Sequence, residues 1–323
     1  MSLRVLFYFV SFALFLQSPG QVTRVGGETQ DTATIELRAR IEASPKLAFK
    51  GMHFAARPPA NGWASGAVSS AAVDSKGNIY EIQRGDRTDP IVVLDRDGKV
   101  LRSWGKGDYK IPHSIRIDPA GNVWTVDAGS SIVVKYSPLG KKLMTITVGE
   151  QPETGSAFNG TTDIAFAPNG HLFITDGYGN ARVLEYTPDG ERVKQWGTRG
   201  SGPGEFRLPH AIQINEEGTI FVADRENGRI QEFSLDGKFL GEISHLGRIY
   251  SLKLVGNVLW AGLQDFSQPP GSPGWVVKFD CKTGKMIGHL DVSEVRGLHS
   301  VEQMPSGEPL TTLDTEVLWF KAK

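Results

Sequence analysis

From about residue 69 to its end the chain repeats itself with a period of about 40 residues, and such a period leaves few folds open. The clearest copy runs from His210 to Ser244. Its strands read H-A-I-Q-I, T-I-F-V-A-D, R-I-Q-E-F and K-F-L-G-E-I, with turns N-E-E-G and S-L-D-G between them. Similar copies run from Ser69 to Trp104, His113 to Val148 and Thr162 to Trp196. Their D-S-K-G-N, D-P-A-G-N and A-P-N-G turns supply the positive φ that tight hairpins need. Two copies diverge. One begins near Arg248 and carries a Pro/Gly-rich insertion, Gln264 to Trp275; the other begins at His299 and ends one strand short. Six four-stranded units arranged radially make an all-β, six-bladed propeller. Thr34 to Ile41, T-I-E-L-R-A-R-I, alternates and is expected to supply the missing strand, closing the ring and pairing its exposed edges. Seven blades is the competing count, with Leu47 to Ala56 as part of another unit. The propeller is thus expected over 34–323, after a linker over 21–33.

Composition narrows the function classes. Lys+Arg number 35 against 36 Asp+Glu, with no long basic run, so nothing favours nucleic acid as a partner. Cys281 is the only cysteine, which rules out an intramolecular disulfide framework. Met1–Arg4 carries one positive charge, Val5–Leu16 is apolar, and Gln17–Gly20 is polar and small. Residues 1–20 therefore read as a signal peptide, with a retained N-terminal anchor as the alternative. Either way the folded part is expected outside the cytoplasm, periplasmic or extracellular, touching a membrane only through an uncleaved anchor. A monomer is expected.

Aligning the copies on their first turn glycine (Gly77, Gly121, Gly170, Gly218, Gly256, Gly307) puts Ser69, His113, Thr162, His210, Arg248 and His299 eight residues before it. Histidine recurs in every second unit, so three imidazoles come from blades about 120° apart at the start of the channel-lining strands. A lone channel histidine bonded to water needs no ion. Three at one register, in a chain with 7 histidines, point to a divalent metal, most often zinc, with an open coordination position. His53, His171, His245 and His289 are assigned no chemistry. A second ring follows the second strands: Arg84, Asp127, Asp176 with Tyr178, Asp224 with Arg225, and Asp314. Its recurring aspartates suit bonds to loop amides. Arg84, Tyr178 and Arg225 break the repeat; they are either rim decoration or groups for a carboxylate and a proton beside the metal.

The linker W-G-T-R-G-S-G-P-G-E-F (Trp196 to Phe206) is typical of NHL repeats, its phenylalanine placed to plug between blades. Together with D-G-Y-G-N-A-R (Asp176 to Arg182), L-P-H (Leu208 to His210) and A-D-R-E-N-G-R-I-Q (Ala223 to Gln231), it resembles peptidyl-α-hydroxyglycine α-amidating lyase over roughly Ser69 to Phe320. The resemblance implies zinc on His113, His210 and His299, Tyr178 as base, and Arg84 and Arg225 near the substrate. The implied reaction cleaves the C–N bond of an N-acyl-α-hydroxyglycine to an amide and glyoxylate. It also implies a structural calcium on the backbone carbonyls of Ala71 and Ile115 and on an aspartate after the third histidine. Ser300 stands in that place, which removes the charged ligand a hard cation prefers and argues against calcium. Gly179 stands where the family has a cysteine, and Gly297 where a methionine is expected. The insertion Gln264 to Trp275 is expected to border the mouth. The alternative function is a non-catalytic propeller binding a peptide, glycan or protein on one face.

Overall fold

The computed structural model describes Arg24–Val25 and residues 28–323. The proposed signal segment, residues 1–20, lies outside the described residues, as does part of the expected linker. Among the described residues no helix is long and apolar enough to cross a membrane.

The repeat folds into six antiparallel four-stranded sheets, five of them running outward in chain order and the sixth completed by an N-terminal strand. Blade 1 is Val68–Val73, Ile79–Gln83, Ile91–Leu94 and Val100–Trp104. Blades 2, 3, 4 and 5 begin with inner strands Pro112–Ile117, Asp163–Phe166, Pro209–Ile214 and Arg248–Val255. Blade 6 comprises Val301–Gln303, Pro309–Thr312 and Val317–Ala322, with Phe49–Phe54 as its outer strand. The inner two or three strands of each blade are apolar and buried between neighbouring sheets. The outer strands, such as Lys142–Thr147 and Arg192–Trp196, are mostly exposed. Burial on both faces is why the inner strands read as near-continuous apolar runs.

Turn and linker chemistry follows the sequence. At the first hairpin of blade 1, Asp74 Oδ1 accepts hydrogen bonds from the amides of Lys76 and Asn78, both at 2.9 Å. Gly77 sits there at φ +81°, a conformation that disfavours a side chain. Phe206 is fully buried and packs on Phe233 at 5.7 Å in a cluster that also holds Ala181 and Val183 of blade 3. It plugs the seam between blades 3 and 4, as its linker suggested.

The ring is closed by an N-terminal strand, but not by the segment expected. Val317–Ala322 pairs antiparallel with Phe49–Phe54, with Trp319 opposite Met52. Leu47–Ala56 therefore contributes to blade 6 and the count stays at six. Thr34–Ile41 lies within a helix, α1, over Gln30–Ala43. Its apparent alternation concealed a four-residue spacing. Ala33, Leu37 and Ile41 are buried on one face, and Leu37 and Ile41 join the core cluster of blade 5. Arg38 fixes the helix laterally, donating to Asp265 Oδ2 at 2.7 Å. Such a pair contributes little by itself because Arg38 is half exposed.

One core residue breaks the apolar pattern. Glu81, in the second strand of blade 1, is wholly buried, and neither carboxyl oxygen has a hydrogen-bond partner. Burial, with Glu316 nearby, pushes its pKa up to about 8. The folded chain thus holds a proton that the unfolded chain releases in the ordinary carboxylate range. Stability is full below that range, falls by at most about 1.4 kcal/mol per pH unit, and is flat again above pH about 8. Glu81→Gln is expected to abolish this slope: urea midpoints of wild type and variant should diverge between pH about 5 and 8, the variant becoming relatively more stable as pH rises.

Candidate metal centre

The three register histidines meet at the axis. Their ring centroids are 5.0 Å (His113–His210), 4.7 Å (His113–His299) and 4.9 Å (His210–His299) apart, an almost regular triangle. One ligand nitrogen from each lies within 4.8 Å of the others, the one such group among the described residues.

Bulges aim His113 and His210, whereas His299 lies just before its inner strand, Val301–Gln303. In blades 1, 2, 4 and 5 the inner strand slips register between Val68/Ser70, Pro112/Ser114, Pro209/Ala211 and Ile249/Ser251. The skipped residue in each is Ser69, His113, His210 and Tyr250, and a bulge turns its side chain out of the pleat. This corrects the alignment in blade 5. There the first hairpin is shorter: Val255 pairs with Val258 across two residues, whereas Val73 pairs with Ile79 across five. Counting back from Gly256 therefore lands two residues early. Tyr250, not Arg248, holds the axial register, while Arg248 stacks on Phe266 at 5.0 Å and donates to Gln268 O at 2.9 Å.

The ring of register residues is hydrogen-bonded around its circumference. His113 Nδ1 donates to Thr162 O (2.7 Å), His210 Nδ1 to Tyr250 O (2.7 Å) and His299 Nδ1 to Ser69 O (2.6 Å). Between them, Ser69 Oγ donates to Pro112 O (3.0 Å), Thr162 Oγ1 to Pro209 O (2.8 Å) and Ser251 Oγ to Leu298 O (2.8 Å), the carbonyls just before the three histidines. Since a carbonyl only accepts, every Nδ1 carries the hydrogen and every Nε2 lone pair faces inward. Tyr178 Oη lies 3.0 Å from His113 Nε2 and 3.2 Å from His210 Nε2. Its single hydrogen cannot satisfy both. Inward lone pairs on three imidazoles, each fixed through its other nitrogen, fit a divalent cation.

Electrostatics agrees. Burial is the main cause that lowers all three histidines below the usual imidazole range, assisted by Arg84 and Arg225 and by one another; His299 is lowered to about 3. The imidazoles are therefore neutral, the state metal ligation requires. Burial raises the Tyr178 phenol, while Arg225 and Arg84 oppose it.

Arg84, Tyr178 and Arg225 all come to this end of the channel. Arg84 Nε donates to Pro112 O at 2.9 Å, and its guanidinium lies over Phe158, which packs 5.1 Å from Tyr178. Arg225 lies over Tyr250 at 5.2 Å and is tied to Glu226 at 2.8 Å. Above His299 opens a cavity of about 300 Å³ lined by Arg84, Tyr250, Gly271, Arg296 and Asp314. Gly271 places the Gln264–Trp275 insertion at this mouth, as expected. Tyr250, Phe158 and Arg296 were not singled out in the sequence; only Tyr250 had a legible signal, its place six residues before the glycine of a shortened first turn, Gly256.

Two of the four recurring aspartates hold loop amides, whereas Asp176 accepts from the side chains of Gln151, Asn180 and Arg182, and Asp314 from Arg296. Asp127 accepts from the amides of Lys110 (2.6 Å), Ile111 (2.7 Å) and Gly129 (2.9 Å), and Asp224 from Arg207 (2.6 Å). In blade 1 that work falls to Gln83, whose Oε1 accepts from Gly66 and Gly85; Arg84 is one residue beyond the register. The remaining histidines have ordinary partners: Ser44 for His289, Glu185 for His171, Glu316 for His53 and Glu36 for His245.

Ala71 and Ile115 do not present free carbonyls. Ser300 Oγ donates to Ala71 O at 3.2 Å, and Arg116 Nη1 to Ile115 O at 3.2 Å. The donor set does not fit calcium.

Fold and site together define a six-bladed β-propeller with an axial histidine triad, and a family model described as a 6-bladed beta-propeller matches residues 158–252. The resemblance to amidating lyases is borne out by homologues. The chain is 31% identical over 276 residues to peptidyl-alpha-hydroxyglycine alpha-amidating lyase 1 of Drosophila melanogaster, covering 74% of this chain and 49% of that protein. It is 34% identical over 260 residues to peptidylglycine alpha-amidating monooxygenase of Rattus norvegicus (69% and 26%), and 32% over 193 residues to NHL repeat-containing protein 3 of Mus musculus (55% and 55%). The chain thus spans between about a quarter and about half the length of these relatives.

The site predicts its own metal chemistry. Purified chain is expected to retain one divalent metal per molecule by elemental analysis, and His210→Ala to retain none. Thr162→Val keeps the carbonyl that holds His113 but loses the hydroxyl on Pro209 O. It should still load metal, with affinity lowered about tenfold, in competition with a chromophoric chelator.

Proposed function

We propose that the chain is a zinc-dependent carbon–nitrogen lyase acting on N-acyl-α-hydroxyglycines, exported by its N-terminal segment. The observation that carries this reading is the convergence of three Nδ1-anchored imidazoles beside Tyr178 Oη and two arginines at one mouth of the channel. The name of the fly relative, an amidating lyase, agrees with it. His113, His210 and His299 would hold the metal, which supplies Lewis acidity toward an oxygen of the substrate.

The chain's own groups do the rest. Arg84 and Arg225, both held by partners on the protein side, bind the carboxylate and orient the α-carbon toward the triad. The neutral Tyr178 phenol relays a proton: as the C–N bond breaks, the electron pair of that bond stays on the amide nitrogen, which takes the phenol's hydrogen while Tyr178 Oη takes that of the α-hydroxyl, and the carbinol carbon becomes the aldehyde of glyoxylate. Atoms and charge balance, and Tyr178 is restored. The Phe158, Tyr178 and Tyr250 rings exclude water from this step, and the Gln264–Trp275 insertion faces the acyl group.

The mouse NHL relative carries no activity in its name, and it supports the second reading, a partner-binding propeller. Glyoxylate release from a benzoyl-α-hydroxyglycine, above the spontaneous rate and with zinc present, decides between them. Tyr178→Phe should lower kcat about 10²-fold or more with KM little changed. Arg84→Met should raise KM about tenfold or more. A chain that retains no metal and releases no glyoxylate overturns the lyase reading.

A further inference from the structure

Below the triad the channel is plugged by charge. Asp163 of blade 3 is buried, and its carboxylate accepts from Ser114 Oγ (2.6 Å), Arg116 Nη2 (2.7 Å) and the amide of Ile212 (3.2 Å). Ser114 and Arg116 belong to blade 2 and Ile212 to blade 4, so one carboxylate joins three blades. Beside it, buried Glu302 of blade 6 pairs with Lys253 of blade 5 at 2.6 Å. The Arg116 side chain is 9% exposed and curls back so that Nη1 meets Ile115 O. The space between this layer and the histidines is about 10 Å³, no more than one small water site.

The amidating-lyase resemblance offers Ala71 O and Ile115 O to calcium. Here Ser300 and Arg116 donate to these two carbonyls. Both are hydrogen-bond donors directed at atoms that a cation would need free, and Arg116 already supplies a positive charge opposite Asp163. A calcium ion would meet that charge, while Asp163 is already committed to Arg116, Ser114 and Ile212. Burial works against the charge of Arg116, but Asp163 and Glu302 outweigh it.

We propose that Arg116 is this chain's built-in substitute for a structural divalent cation, its guanidinium tying the inner strands together beneath the metal triad without calcium. Ile115 lies two residues beyond His113 on the same inner strand, and Ala71 two beyond Ser69, whose carbonyl holds His299. Arg116 is thus a positioning residue for the triad. It need not touch substrate.

The test uses the full chain, dialysed against calcium-free buffer and titrated with calcium chloride, with heats of binding and Tm as readouts; lyase activity enters neither. No binding heat and an unmoved Tm are expected. Calcium at 100 times its Kd would instead raise Tm by about 4 °C, and that rise would overturn the proposal. Arg116→Met should lower Tm by several degrees, and wild-type Tm in that variant counts against the proposal equally. Arg116→Met with Ser300→Asp frees the carbonyls and restores a carboxylate, so its Tm should rise with calcium; a folded double variant indifferent to calcium overturns the exchange of one cation for the other. Should Arg116→Met fail to fold, Ser300→Asp alone decides: with Arg116 still donating to Ile115 O, its Tm should stay insensitive to calcium, and a rise overturns the proposal.

Discussion

The site rests on a closed circuit of hydrogen bonds around the channel. It alternates between an imidazole Nδ1 donating to the next blade's register carbonyl and a serine or threonine hydroxyl donating to the carbonyl that precedes the next histidine. Each link crosses a blade seam, so the ring of six sheets and the orientation of three imidazoles are one constraint. Each link also satisfies a buried polar group that would otherwise cost roughly 1–3 kcal/mol. A propeller whose blades met at another angle could keep every strand and still lose the triad.

Charge is layered along the same axis. At the mouth, Arg84 lines the solvent-side cavity, and together with Arg225 it adds to the burial that keeps the imidazoles neutral. In the middle, three neutral rings and one phenol carry no net charge. Beneath, Arg116 and Lys253 are matched by Asp163 and Glu302. Arg84 thus stands at the open end of this column, where Arg225 is paired with Glu226 and Arg296 with Asp314. Paired ions plug the channel beneath the triad, leaving about 10 Å³ between the two layers.

Much of this was legible in the sequence. The Asx-Gly turns, the blade count, Phe206 as a seam plug and the placement of His113, His210 and His299 all follow from local turn chemistry and repeat arithmetic. Two readings failed for identifiable reasons. T-I-E-L-R-A-R-I alternates, but its Ala33–Leu37–Ile41 spacing buries one helical face against blade 5, while the true closing strand, F-K-G-M-H-F, is half exposed and pairs on one side only, so it carries little pattern. Arg248 was placed by counting from a turn that is shorter than its siblings. Counting from a turn transmits any change in turn length to the axis.

Sequence alone determined the repeat, and with it which residues share a radius, because hairpin glycines and alternating apolar strands are local properties. What faces the axis was decided by tertiary structure. The bulges that swing Ser69, His113, His210 and Tyr250 inward exist only in paired strands, and the carbonyls that fix each imidazole come from a neighbouring blade some 40 residues or more away (about one repeat). So too with Arg116. Its composition reads as one more basic residue, and only the packed ring brings Asp163 and Glu302 from two other blades to meet it.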